Sequence, residues 1–463
     1  MSSERPAALP SSFRDPHGFV FTAEHVLFRQ VNEAHREAFD LMTSSGLRDR
    51  LFEERLLVRH VEEAPERALT PDAYKVIRPE MISFISYPYE WCFSALRDAA
   101  RHTLRVQRIA MEHGMSLRDA SAYNVQFSSG RPILIDTLSF EPLTKGRPWV
   151  AYRQFCEHFV APLALMAMRD VRIGRTLQTF LDGVPLDLAS SLLPLRSRRM
   201  PGLQLHVHLH ARSQLKHASK RSHGPNPTQR RFSERSFEGL LSSLESTIAK
   251  LSSPRGPSAW KDYYSEADHY ANEAAAAKET IVRGWLSERR PDTVWDLGAN
   301  TGRFASIAAG LGAEVVAFDA DPFAVESAYR ARGEPDAAPL PLVMDLTNPS
   351  ASVGLAHAER MSLAERGPAD LTLALALVHH LAIGANVPLG RFADLLADLG
   401  RSSIVEWVPK DDPKVKAMLS SREDVFGSYS ESVFVSELER RFSIVGREPI
   451  PEMNRVLYLL ERR

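Results

Sequence analysis

The chain has 463 residues and a formal net charge of -1, so two or three domains are favoured over one and overall charge gives no reason to expect a nucleic-acid or membrane partner. Its hydrophobic fraction of 44% and charged fraction of 25% are ordinary for a soluble globular protein, and two cysteines, Cys92 and Cys156, are too few for a disulfide framework and fit a reducing cytoplasm. The start, MSSERPAALPSSFRDPHG, has no signal-peptide core, and the apolar runs FVAPLALMAM and LTLALALVHHLAI are too short or interrupted to span a bilayer, so no membrane insertion is expected.

The first region, residues 1–195, mixes helical and strand-like patterns and reads as an α+β domain. ISFISYPYEW, from Ile82, reads as a strand before a long helix. SALRDAARHTLRVQRIAMEHGM, Ser94 to Met115, has apolar residues at helical spacing and a glycine near its end. In LRDASAYNVQFSSGRPILIDTLSFE, Asp119 precedes Asn124 by five positions, SSG signals a turn, and RPILIDTLSF reads as a buried strand that delivers Asp136.

The second region, residues 196–258, reads as a basic linker or helical connector. It begins with RSRRM and contains KHASKRSHGPNPTQRRFSER, with few carboxylates. Such a run can contact phosphate backbones, which keeps RNA binding open, but Phe232 is its lone interleaved aromatic and a solvated linker is the plainer reading. HVHLHA places His206, His208 and His210 on one strand face if the segment is extended. That geometry suits zinc, yet no cysteine pair or fourth ligand accompanies it, and an ordinary polar strand face fits as well.

The third region, residues 259–463, opens with a strong helix candidate, EADHYANEAAAAKETIVRGWLSERR. TVWDLG, EVVAFDA, LPLVMD, DLTLALAL and SSIVEWV then alternate with turns and helix-like stretches. This alternation predicts an α/β, Rossmann-like domain with a mostly parallel sheet. RFSIVGREPIPEMNRVLYLLERR reads as two strands joined by a loop containing proline. Ligands of such sheets sit beyond the carboxyl ends of the strands. Asp296 closes the first strand there, Gly298 and Gly302 allow close approach of a ligand, and Asn300 tolerates left-handed backbone. The phosphate loop GxxxxGK[ST] and the dinucleotide fingerprint GxGxxG are both absent, which leaves DxGxxxG.

Asp296–Gly302 resembles the first motif of class I S-adenosylmethionine (SAM) dependent methyltransferases. Two further motifs keep register with it. The resemblance implies that Asp319, ending the second strand, bonds the ribose hydroxyls of SAM, and that Asp345, after the third, contacts the adenine amino group. The whole chain is also similar to bacterial nodulation-associated methyltransferase-like proteins, through SAYNVQF, IDTLSFEP, DLGANTG and LALVHHLAI. At the end of the fourth strand, His379 and His380 are candidates for proton removal or substrate positioning, against a plain helix start. Glu406, ending the fifth, is expected to face the same cleft, where it orients a histidine or binds a polar substrate group; a surface carboxylate is the alternative. The N/D-P-P-Y/F motif of many amino-group methyltransferases is missing. The expected acceptor is a small molecule or a glycan-type oxygen or nitrogen nucleophile; neither its identity nor the oligomeric state is written in the sequence.

Asp119, Asn124 and Asp136 resemble the catalytic loop and metal-binding aspartate of protein kinases and aminoglycoside phosphotransferases. That likeness implies a kinase-like domain, a possible second site for ATP and magnesium, and a bifunctional or phosphotransferase alternative. The departures are several. Ser-Leu-Arg precedes Asp119, Thr137 and Leu138 follow Asp136, no glycine-rich loop is clear in the first 80 residues, and Lys75 is the one tempting lysine. The competing reading has Asp119 as a cap, Asn124 in a turn and Asp136 at a strand end.

Overall fold

A computed structural model describes residues 7–211, 233–254, 256, 269–333, 338–420 and 423–463. The chain divides into two compact units: Met1–Pro254 with Val353–Arg360, and Arg255–Ser352 with Met361–Arg463.

The first unit opens with short strands β1 (Ala7–Ala8), β2 (Gly18–Ala23), β3 (Val26–Asn32), β4 (His60–Glu63) and β5 (Ala73–Pro79). They form an antiparallel sheet in the order β1-β2-β3-β5-β4. Helices α1 (Arg36–Ser44) and α2 (Leu47–Glu53) lie between β3 and β4 in the chain. Helix α3 (Phe93–Glu112) follows as its periodicity predicts, burying Leu96, Ala99, Ala100, Thr103, Leu104 and Gln107 at helical spacing. Beyond it come β6 (Met115–Leu117), the hairpin β7 (Val125–Ser128) and β8 (Arg131–Leu134), and β9 (Phe140–Pro142), which pairs with β6. The SSG turn joins the hairpin through Ser129 and Gly130, both at positive φ.

Three local expectations fail in this unit. ISFISYPYEW is not a strand: the Ser86 N–H donates to the Gln126 side chain, and Pro88–Glu90 is a 3-10 turn. The strand expected from Arg131 stops at Leu134, because the Asp136 carboxylate accepts the Leu138 N–H and starts a 3-10 turn instead. HVHLHA is helical: His206–Leu209 belong to the wide-turn helix Gln204–Leu209, and His210 and Ala211 continue it. His206 bonds Tyr152 and Ser243, His208 bonds Ser190 and Ser197, and no metal-binding group of side chains exists among the described residues. The described part of the basic region is thus folded: it includes α4 (Leu186–Leu192) at its border, that helix, and α5 (Glu234–Lys250), which is capped by Ser233 and buries Leu241, Leu244 and Ile248.

The second unit holds α6 (His269–Arg289), β10 (Thr293–Leu297), α7 (Arg303–Gly310), β11 (Glu314–Asp319), α8 (Pro322–Ala331), β12 (Leu340–Val343), β13 (Ala369–Ala374), α9 (Leu389–Leu399), β14 (Gly400–Trp407), α10 (Glu431–Glu439), β15 (Phe442–Pro449) and β16 (Val456–Arg462). Its sheet runs β12-β11-β10-β13-β14-β16-β15, parallel except where β16 pairs antiparallel with both neighbours. The C-terminal strand pair is as expected. Strand order reverses between β10 and β13, so a crevice opens beyond their carboxyl ends. On one face Val282, Leu286, Phe304, Ile307 and Ala308 pack over Val294, Leu373, Ile404 and Leu459. On the other, Trp407 stacks with Tyr429 and Phe434. A sheet covered on both faces explains why its strands read as apolar runs rather than as alternations.

Candidate active site

The turn after β10 is shaped by three left-handed residues: Gly298 at φ 77°, Asn300 at 52° and Gly302 at 81°. Two are glycines and the third is the side chain type that best tolerates this region. A Cβ on Gly298 would stand 3.1 Å from Leu377. The N–H groups of Gly298 and Ala299 both donate to the Phe318 carbonyl at 2.9 Å, which ties the turn to β11.

Asp319 lies under this turn. One carboxylate oxygen accepts the Asn300 N–H at 2.7 Å and the other the Asp321 N–H at 2.8 Å. Each oxygen retains a lone pair, so the group can still accept two neighbouring hydroxyls. Burial raises its pKa, and those N–H donors oppose the rise. Asp345 stands past the end of β12, where Oδ1 accepts both the N–H and the hydroxyl of Thr347. The adjacent Met344 N–H donates to the Asp319 carbonyl at 2.8 Å, so the ends of β11 and β12 are held together.

Asp296 is buried, with 3% of its surface exposed. Burial pushes its carboxyl up to about 7, against the opposing pull of the Lys278 cation and the Ala305 N–H; Asp319 nearby pushes the same way as burial. Lys278, on α6, escaped the sequence reading, although it is the one lysine in an otherwise alanine-rich stretch, ANEAAAAKET. Its ammonium sits 2.5 Å from Glu406 and 4.8 Å from the centre of the Phe304 ring.

Glu406 corrects an expectation. Rather than facing an acceptor cleft, it is wholly buried, with one oxygen on Lys278 and the other 3.0 Å from Arg455. Burial alone would raise its pKa, but the two cations prevail and hold it below the ordinary carboxylate range. Arg455 continues the chain to Asp412 at 2.8 Å. Lys278, Glu406, Arg455 and Asp412 therefore form a buried, charge-balanced row linking α6, β14 and the β15–β16 hairpin.

His379 and His380 follow β13, their ring centres 4.1 Å apart. His379 has no exposed surface and neither ring nitrogen has a hydrogen-bond partner among the described residues. Burial, with His380 and Arg455 adding to it, pushes its pKa down to about 3, so the ring is neutral. His380 is only partly buried; burial lowers its pKa as well. Two unpaired nitrogens in a buried site are costly unless something binds them.

In the first unit, Asp119, Asn124 and Asp136 do converge. Asp119 accepts from the Ser121 N–H at 2.9 Å and from Gln154 at 2.8 Å, and burial, with Asp136 adding to it, raises its pKa. Asn124 donates to the Ser139 hydroxyl at 3.1 Å, and that hydroxyl donates to Asp136 at 2.5 Å. The other Asp136 oxygen pairs with Arg29 at 2.5 Å. Arg29, on β3, was not singled out in the sequence; Lys75 was, and it lies elsewhere, pairing with Glu62 at the surface.

No family model matches the chain. Over 466 residues it is 34% identical to nodulation protein NoeA of Rhizobium meliloti (strain 1021), and the match covers 100% of this chain and 97% of that protein. The chain belongs to the NoeA family. Among solved structures, magnesium protoporphyrin IX methyltransferase (ChlM) from Synechocystis PCC 6803 with bound SAH is 18% identical, at a TM-score of 0.30 over 43% of this chain and 89% of that one. The N-methyltransferase NodS from Bradyrhizobium japonicum WM9 is 13% identical, at 0.30 over 41% and 97%. Scores this low say nothing about chemistry; strand order and the groups at the strand ends do. By these, the second unit of this NoeA-family chain is a Rossmann-like domain with a glycine-containing turn and carboxylates at its strand ends.

Proposed function

We propose that the chain transfers a methyl group from SAM to an oxygen or nitrogen nucleophile of a small molecule or glycan. The observation that carries this reading is the crevice beyond β10 and β13: the left-handed turn follows β10, Asp319 ends β11, and His379, with two unpartnered ring nitrogens, follows β13. The residues present fit the cofactor: Asp319 for the ribose hydroxyls, Asp345 for the adenine amino group, Asp296 and the Gly298–Gly302 turn for the remainder. When bound, SAM supplies an electrophilic methyl on a sulfonium.

The chain's own part is to hold an acceptor in line and manage its proton. A neutral imidazole held at about 3 does not retain a proton taken from an alcohol, so His379 serves as a hydrogen-bonding and orienting group. His380, less buried, is the better candidate to receive the proton. The test is calorimetric titration of SAM into the chain, followed by transfer of labelled methyl from SAM to panels of small hydroxylated, amino and oligosaccharide acceptors. SAM binding with label in one acceptor class supports the reading; no SAM binding by a folded chain defeats it.

A second reading concerns the first unit. The β-sheet, long helix, loop, hairpin and convergent Asp119, Asn124 and Asp136 favour a kinase-like domain. As arranged, these residues do not fit magnesium, because Arg29 and Ser139 take the Asp136 oxygens. The unit is accordingly read as a substrate-shaping domain without phosphoryl transfer. ATP hydrolysis or transfer that depends on Asp136 would overturn this.

A further inference from the structure

We propose that the first unit carries a docking surface for an anionic lipid membrane, formed by Leu192, Leu195, Leu205 and Leu209 with Arg196, Arg198 and Arg199. The four leucines are exposed by 44%, 77%, 43% and 44%, between residues 192 and 209 of a chain whose other leucines are mostly buried. They stand on separate elements held at one place: α4, the 3-10 turn Leu195–Arg199 and the helix through Gln204–Leu209. His208 fixes this arrangement, with one ring nitrogen on Ser190 at 2.8 Å and the other on Ser197 at 2.9 Å. His206 faces inward to Tyr152 and Ser243, so the helix is anchored by its histidines while Leu205 and Leu209, one turn apart, point away.

The segment Leu188–Leu209, which carries these leucines, contributes positive charge alone; Asp187 in the first turn of α4 is the carboxylate at its border. Arg196, Arg198 and Arg199 are exposed, and none has a carboxylate partner among the described residues. Arg169, also exposed, donates to the Leu192 carbonyl at 2.6 Å, adding a fourth cation at the border. The sequence contains no aspartate or glutamate from Leu188 to Ser233. Exposed aliphatic side chains beside unpaired arginines suit the boundary between lipid headgroups and acyl chains, where leucines enter and guanidinium groups meet phosphates. RNA is the less suitable polyanion, since its recognition relies on aromatic stacking and this surface offers leucines. The contact is peripheral, for no helix among the described residues is long and apolar enough to cross a membrane.

The test is co-sedimentation of the full chain with vesicles of phosphatidylcholine alone and of phosphatidylcholine mixed with phosphatidylserine. Binding is expected to the mixed vesicles and to weaken with salt. The triple variant Arg196→Gln, Arg198→Gln, Arg199→Gln is expected to lose on the order of a hundredfold in partitioning, from roughly a fivefold loss per arginine. The exposed variants Leu195→Ser and Leu205→Ser with Leu209→Ser decide between lipid insertion and mere charge attraction, because they remove aliphatic surface and leave every arginine in place. They should lose roughly tenfold at unchanged charge. Circular dichroism confirms that each variant is folded. No binding to mixed vesicles, equal binding by the leucine variants, or displacement of the chain from vesicles by a polyuridine competitor at stoichiometric amounts would each overturn the proposal.

Discussion

Asp296 makes the cofactor site sensitive to pH. Its carboxyl stands at about 7 in the folded chain, against 3.8 in an exposed one, because burial opposes its charge. SAM brings positive charge, so it is expected to bind the ionised form. With a pKa near 7, the ionised fraction rises about tenfold between about pH 6 and pH 8, so the SAM dissociation constant should fall by about tenfold over that interval, or about 1.4 kcal/mol. Linkage also fixes the sign for the ligand-free protein. The folded state holds a proton that the unfolded state gives up, so stability is highest below about pH 4 as far as this group is concerned and is lost as pH rises to about 7. A shift of roughly three units corresponds to a loss of about 4 kcal/mol. Asp296→Asn removes this cost. It should therefore stabilise the ligand-free second unit above neutral pH while weakening SAM binding and flattening its pH dependence. Calorimetry with SAM across this range, alongside thermal unfolding of the second unit, measures both effects. If the parent shows a flat affinity, or Asp296→Asn keeps the same slope, Asp296 does not govern the cofactor's charge recognition.

Other outcomes follow from the same geometry. Gly298→Ala should cost roughly 1–2 kcal/mol in left-handed strain and add a 3.1 Å approach to Leu377; SAM titration should show weaker binding, and unchanged affinity would mean the turn does not touch cofactor. Glu406→Gln deprives two buried cations of their shared counter-charge and should destabilise by about 3–5 kcal/mol, measured by urea unfolding; a loss under about 1 kcal/mol would show the row to be dispensable. His379→Leu removes two unpaired nitrogens, so stability should hold or rise while methyl transfer falls; loss of stability with intact transfer per folded molecule would make the ring a packing element. Arg29→Met leaves Asp136 without its cation and should destabilise the first unit to thermal unfolding; if it instead creates magnesium-dependent ATP binding, Arg29 is what closes that site.

The second unit was legible because its signals are local and repeat. Gly298, Asn300 and Gly302 announce left-handed backbone one residue at a time, and buried parallel strands announce themselves as apolar runs. The role of Glu406 was not legible, since a carboxylate at a strand end gives no hint of a lysine 128 positions earlier or an arginine 49 positions later. Arg29 was missed for the same reason: its partner is distant in sequence, and it sits in VLFRQVN, an otherwise ordinary strand. HVHLHA misled because alternation suggests a strand, whereas hydroxyls on four other segments, supplied by Tyr152, Ser190, Ser197 and Ser243, satisfy its first two histidines as a helix. Tertiary partners decided what the two-residue period could not.

The seven-stranded sheet is not assembled in the order in which its strands are made. β16 enters between β14 and β15, although both precede it in the chain. Until Val456–Arg462 arrives, β14 has an open row of backbone donors and acceptors beside Ile404 and Val405, and Glu406 and Lys278 lack Arg455 as the third member of their group. A growing chain would therefore pass through an interval with a sticky sheet edge and an unfinished electrostatic centre. Truncations just short of Arg455 should fail as aggregates rather than as folded, inactive protein, and chaperone demand should be greatest at that point of synthesis.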